Sequence, residues 1–390
     1  MKERIHLSKP FLIICTICIV IGITALVYAF VVNPDRAWAN YLLNNFFFLS
    51  LAIGGTFFLA LQAITQAGWS SGFRRISEAM MMYIPVAGIL MLFLYFGLHY
   101  LYPWSNTDVV KGSELIRNKS VYLNTPFFFI RLILFFSVWI LLTWQIRKAS
   151  LKEDEAVGLE QFNKIERLSK IFIFVLSVTF SLLGFDLLMS IDVKWFSTIY
   201  ALKNFIASFQ HGAAAIFVVV LLLSRKGYFE FLNVSHVHDF ARYLFITSIF
   251  YGYFWFSQFM LTWYGNLPEE TIYYAIRWTP EWRPYWALDI ILNWVVPFFV
   301  LLPVLTSRSK WIVFSVALVL FVGLWMDLFI EIFPGVVGHS QWGFIEIGSF
   351  IGFAGLFALV TGYHLSKAAL IPKNHPYIEE SYQHHFESYI

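Results

Sequence analysis

Asp186 stands inside the apolar stretch "GFDLLMSIDVKW", residues 184 to 195, with Asp192 and Lys194 just beyond it. An ionised carboxylate that faces lipid costs about 3 kcal/mol on insertion scales, so a span that keeps one must supply a partner, a proton or water. Arg131, Lys203, Asn204, His211, Asp289, Asn293, Asp327, Glu331 and Glu346 stand in similarly apolar surroundings. Asp327 and Glu331 are four residues apart, which places both carboxylates on one face of a helix. From 203 onward, Lys203, Asn204, Ala207, Ser208, Gln210, His211, Ala214 and Ala215 recur at helical spacing as one polar, small-residue stripe. Such a stripe serves either as helix-packing glue or as a proton or ion wire, and the ionisable Lys203 and His211 are what a purely packing stripe would not need. The acids Asp186, Asp289, Asp327, Glu331 and Glu346 outnumber the bases Arg131 and Lys203. Simple ion pairing between helices leaves that excess unaccounted for, whereas a shared polar pocket near one membrane surface, exchanging protons, uses it. One shared pocket is therefore the expectation.

Other chemistries find little footing. Cys15 and Cys18, in "CTIC", lie at helical spacing inside an apolar run and read as small apolar fillers. No cysteine framework for an iron–sulfur cluster or structural zinc is present, so the expectation is no metal on this chain. A b-type haem needs axial histidines at matched depth on neighbouring helices. His99, His211 and His364 fall at three different depths.

The elements that must position these residues follow from composition. Of 390 residues, 59% are hydrophobic, 20% aromatic and only 13% charged, more apolar surface than one soluble core hides. Apolar stretches long enough to cross a bilayer recur at 11–32, 43–66, 79–101, 125–146, 168–190, 197–224, 240–264, 287–306, 311–332 and 344–370. Segments of that length must be helices, because lipid satisfies no backbone groups and barrel strands are shorter and alternating. The fold class is all-α, a multi-pass membrane protein with ten transmembrane helices. The first span follows basic residues but lacks a small-residue cleavage site before Asn33, and reads as a retained helix.

Basic residues gather at the N-terminus and after spans two, four, six and eight, as in Arg74, Arg75, Arg147, Lys148, Arg225 and Arg308. That asymmetry places both termini in the cytoplasm. It also accounts for the net charge of +3 without a nucleic-acid partner. The connection 147–167 reads as a solvated linker with a short interfacial helix. The opposite loops 102–124 and 265–286 are rich in Trp, Tyr and Pro. The second mixes Glu269, Glu270, Arg277, Glu281 and Arg283 among its aromatics, which suits either an interfacial aromatic belt or an extramembrane partner.

Offsetting the chain by four helices aligns spans two to five with six to nine and brings "GFDLLMSID" onto "WMDLFIEIF". Two four-helix bundles, 43–196 and 197–333, then stand between flanking segments 1–42 and 334–390. "FDLLMSIDVKWFSTIY" (185–200), "HDFARYLF" (238–245) and "YFWFSQFMLTWYGNLPEETIYY" (253–274) together resemble the NrfD/PsrC-type membrane subunits of bacterial respiratory complexes. The form they resemble most is that of alternative complex III, a quinol:cytochrome c oxidoreductase. The resemblance implies a subunit of the bacterial inner membrane that binds no metal itself. It implies partners too: a paralogous NrfD-like subunit, an iron–sulfur subunit, c-type cytochromes and a terminal oxidase. Quinol, commonly menaquinol, would be oxidised near the periplasmic face. Since the paralogue is the better candidate for the quinol pocket, this chain would be structural or a proton-conducting half. A free-standing secondary transporter or ion channel is the second reading, in which Pro297 and Pro303 break the eighth span near the membrane centre.

Overall fold

The computed structural model describes residues 4–155 and 158–385. Among the described residues, ten helices are long and apolar enough to cross a membrane: Lys9–Val32, Pro34–Ile64, Ser71–Phe96, Thr125–Glu153, Glu160–Leu187, Thr198–Ser224, Val234–Gly265, Arg283–Leu301, Lys310–Val336 and Phe344–Ser366. They are the first to tenth spans below. No strand occurs among the described residues.

The second span begins at Pro34, well before the expected residue 43. Hydropathy reads Arg36 and Asn40 as loop, but both turn toward Glu346 of the tenth span. Every residue from 37 to 56 is buried, the mark of a helix enclosed on all sides. Asn33 serves both adjoining helices. Its N–H donates to Ala29 O at 2.8 Å, and its side chain accepts from Arg36 N at 3.1 Å, while Pro34 takes the first helical position, where no donor is needed.

The second span packs on spans three, five, six, nine and ten, and the sixth packs on two, five, seven and nine. These two central helices cross with backbones in contact. A Cβ added to Gly212 would lie 2.4 Å from Gly54 C, and one on Gly54 would lie 1.8 Å from Ser208 O. Small residues permit such an approach, and the dispersion gained there is what holds helices together in lipid. The first and tenth spans pair similarly through Gly22 and Gly352, where a Cβ would meet the opposite Cα within 2.4 Å.

The expected linker 147–167 is a correction. The fourth span continues to Glu153 and the fifth starts at Glu160, leaving Arg147, Ser150 and Glu153 buried. They join Arg74, Arg75, Glu78 and Asp154 in one network: Arg75 reaches Glu78 at 2.7 Å and Asp154 at 2.6 Å, Arg74 pairs with Glu153, and Ser150 donates to Glu78. Charged side chains that read as solvated in one dimension are here neutralised in three. The C-terminal segment covers this network, with Lys373 N donating to Asp154 Oδ1 at 3.0 Å and Ser381 donating to Trp69 O at 2.8 Å.

Candidate functional site

Two prolines shape the site by removing backbone donors. Pro297 cannot donate to the carbonyl of Asn293, four residues earlier. The eighth span answers with a π-helical turn over Ile291–Val295, and Gln210 Nε2 takes the freed Asn293 carbonyl at 3.1 Å. Pro334 likewise frees the carbonyl of Ile330 within the ninth span. Arg277 Nε donates to that carbonyl at 2.9 Å, and its Nη2 donates to Glu331 O at 3.0 Å. Irregular helix is tolerated in a membrane only where such partners satisfy it.

Between these two irregularities lies the acid-rich centre. Lys203 Nζ stands 2.5 Å from Asp327 Oδ1 and 2.5 Å from Glu331 Oε1. Asp289 accepts from Tyr251 Oη at 2.8 Å, Trp255 Nε1 at 3.1 Å and Asn293 Nδ2 at 2.8 Å. Asn204 Nδ2 is 3.4 Å from Glu331 Oε2. All of Lys203, Asp289, Asp327 and Glu331 are at most 4% exposed. They line a cavity of about 30 Å³, room for a water molecule. Two acceptors on its wall, Asp327 Oδ2 and Gln258 Oε1, have no partner among the described residues.

The centre extends in two directions. Toward the end with aromatic loops, Arg277 Nη2 pairs with Asp192 Oδ2 at 2.9 Å, and Arg277 Cζ lies 3.4 Å from the centroid of the Tyr273 ring. Tyr273 in turn stacks on Trp195 at 3.9 Å between centroids. Burial pushes the Tyr273 phenol well above its ordinary range despite the neighbouring Arg277, so this lid stays neutral on that side. Toward the membrane centre, Asn293 Oδ1 is 3.0 Å from His211 Nε2, and His211 Nδ1 is 2.5 Å from Ala207 O. Each ring nitrogen of His211 faces an acceptor, an arrangement able to hold a proton on both.

The expected single pocket resolves into three separate sites. Asp186 does not join the centre: Arg131 grips it in two parallel bonds, Nε to Oδ2 at 2.7 Å and Nη2 to Oδ1 at 2.9 Å, and stacks under Tyr122 at 3.8 Å. Glu346 is held apart by Arg36, at 2.7 and 2.6 Å, and by Asn40 at 3.0 Å. Both sites are one-to-one and formally neutral. Only the Lys203 centre keeps surplus acid, with three carboxylates to one ammonium, and the adjoining Arg277–Asp192 pair leaves that balance unchanged. The stripe on the sixth span also divides. Ser208 and Gly212 meet the second span as glue, whereas Lys203, Gln210 and His211 bond to the eighth and ninth.

The sequence repeat makes the asymmetry legible. The repeat pairs the second span with the sixth, whose Gly54 and Gly212 meet where the central helices cross, and carries Asp186 onto Asp327. Where the first half sets an arginine against Asp186, the second sets a further acid beside Asp327. Lys203 supplies the remaining cation.

Arg277 falls in the loop 265–286 and Arg36 ahead of the expected second span, so neither reads in sequence as the partner of a buried group. Their signal in the sequence was indirect, namely unpaired acids in nearby spans. Tyr251, Trp255 and Gln258 lie in or beside the aromatic run 253–274 and had no separate chemical signature. Two aromatic-walled cavities flank the same end: one of about 280 Å³ beside Asp186, with Tyr122, Phe185, Trp195 and Phe196, and one of about 410 Å³ with Phe259, Trp263, Tyr274, Trp278 and Trp286. Tyr274 and Trp286 belong to both the larger cavity and the acid-lined one. Among the described residues, no group of three or more His, Cys, Asp or Glu is arranged to hold a metal ion. No family model matches the chain, and no curated protein matches it.

Proposed function

We propose that this chain is a proton-handling membrane subunit of a bacterial respiratory quinol:cytochrome c oxidoreductase of the alternative complex III type, the ActF-like member of its NrfD-like pair. One observation carries the proton-handling part: a buried centre in which three carboxylates share one ammonium. A net charge of minus two cannot be sustained away from water, so the centre holds protons and exchanges them as its surroundings change. Oxidation of a quinol to a quinone releases two protons and two electrons. Released at the aromatic end, those protons are taken up by the Asp289–Asp327–Glu331 group, while the electrons leave through iron–sulfur clusters and c-type haems on partner subunits.

The membership in that complex rests on the sequence resemblance over 185–274. The contacts within spans two to five and within spans six to nine support a two-bundle grouping, and the basic residues at one end support cytoplasmic termini. Transport is the second reading, favoured by the broken eighth span. Repeat-built transporters break helices in pairs, and the fourth span, its counterpart, is a continuous helix from Thr125 to Glu153. The test is a mild-detergent purification of the tagged chain, followed by a haem spectrum and a quinol:cytochrome c assay. Co-purifying c-type haem with activity is expected. A colourless single subunit would overturn the complex, and normal proton-coupled turnover in Asp289→Asn would overturn proton handling.

A further inference from the structure

The basic end holds a different kind of site. A cavity of about 480 Å³ opens between the ends of the fourth and tenth spans, with Arg147, Lys148, Lys152 and Lys367 on its wall and Glu155 as its one described acid. Nearby cations at this end are matched: Arg74 and Arg75 pair with Glu78, Glu153 and Asp154, and Lys170 pairs with Glu166. Arg147 is also engaged, with Glu78 at 3.3 Å and the carbonyl of His364 at 2.7 Å. Lys148, Lys152 and Lys367 make no ion pair among the described residues. Two of them rest only on aromatic rings, Lys148 4.8 Å over Trp144 and Lys367 4.8 Å over Tyr363. Lys148 and Lys152 are four residues apart, a like-charge spacing that by itself costs helix stability. Three ammonium groups converging on one concavity with a single acid, Glu155, on its wall call for an anion.

The shape beneath the cations says which anion. Ile130, Leu134, Leu141 and Trp144 are 60%, 56%, 52% and 52% exposed, and their spacing continues to Lys148 on one face of the fourth span. An apolar track therefore leads from the membrane interior, past an indole at interfacial depth, to the ammonium groups. A free phosphate would use the cations but not the track. A phospholipid uses both.

We propose that this cavity binds the phosphate of an anionic phospholipid, with Lys148, Lys152 and Lys367 as its cations and the Ile130–Trp144 face as the bed of an acyl chain. The site is independent of the proton-handling centre at the other end. The chain, with whatever subunits accompany it, is stripped of lipid and titrated with cardiolipin, with phosphatidylcholine and with inorganic phosphate, bound lipid being counted by native mass spectrometry. Saturable cardiolipin binding is expected, unaffected by millimolar inorganic phosphate. Each basic residue near a charged surface contributes roughly fivefold in affinity, so K148Q/K152Q/K367Q weakens binding by about a hundredfold. K367Q alone, on the tenth span, weakens it roughly fivefold and guards against misfolding of the triple variant. K170Q, paired elsewhere on the same end, leaves it unchanged. Equal binding by the triple variant, equal retention of phosphatidylcholine, or displacement by inorganic phosphate would each overturn the proposal.

Discussion

Replacing Lys203 with Gln removes the only ammonium from a centre that keeps Asp289, Asp327 and Glu331. Its Nζ lies 2.5 Å from two of those carboxylates, so the substitution strands buried charge. Breaking a buried pair from one side costs about 3–5 kcal/mol when the partner stays ionised. The stranded acids escape part of that cost by taking up protons, which makes the loss depend on pH. If the folded variant binds one proton more than the folded wild type, the stability gap widens by about 1.4 kcal/mol for each unit of rising pH. Thermal unfolding in detergent, followed from pH 5.5 to pH 8, reads this directly: the variant melts closest to wild type at the acid end. K203Q/E331Q removes one charge of each sign and should recover part of the loss, with a coupling energy of about 1–3 kcal/mol. A gap that does not change with pH, or single effects that simply add, would refute the view that these groups share protons.

Asp289→Asn keeps the shape and its one oxygen can still accept from Tyr251 and Asn293, losing only the Trp255 bond, so assembly stays intact while proton-coupled turnover falls by roughly a hundredfold, the usual scale for a lost proton-transfer group; the check is activity per assembled complex. Asp186→Asn behaves differently, because it leaves Arg131 buried beside a neutral amide, at a cost of about 3–5 kcal/mol; reduced subunit in the membrane, rather than reduced turnover per complex, is the expected readout. Gly212→Val drives a side chain into the Gly54 backbone, where even a Cβ comes within 2.4 Å, and immunoblotting of membranes should show the chain lost. His375, outside the spans, is held down to about 3 by burial and by Arg74. It is neutral when the tail is docked and regains its ordinary value near 6.5 when free. The undocked form thus binds more protons between those values, and docking weakens by about 1.4 kcal/mol per unit as pH falls below about 6.5, with no change above it. Hydrogen exchange over 370–382 should rise at pH 5 in wild type and lose its pH dependence in His375→Phe.

Much of the fold was written in hydropathy alone. Ten apolar runs separated by polar connections specify helices, because lipid leaves the backbone no other way to pair its polar groups. Hydropathy also named the residues that matter, since a charge inside an apolar run must be accounted for. Asp186, Lys203, Asp289, Asp327, Glu331 and Glu346 were all visible on that ground. Hydropathy is blind to direction, however. It cut nine residues from the start of the second span because Arg36 and Asn40 looked like loop, and it treated Arg147 and Glu153 as solvated linker.

Partnership was decided only by tertiary structure. A sequence records that a carboxylate is buried, not which of several cations reaches it, because the partners of Asp186, Glu346 and Glu331 lie 55, 310 and 128 residues away along the chain. Three-dimensional packing neutralised Asp186 with Arg131 and Glu346 with Arg36, and so concentrated the surplus acid at Lys203. Of the two prolines, Pro297 signalled a break in sequence and Pro334 did not, and neither showed what takes the carbonyl it frees. Only the packed helices show that the carbonyls they free are claimed by Gln210 and Arg277, which fixes Asn293 and Arg277 on either side of one acid-rich centre.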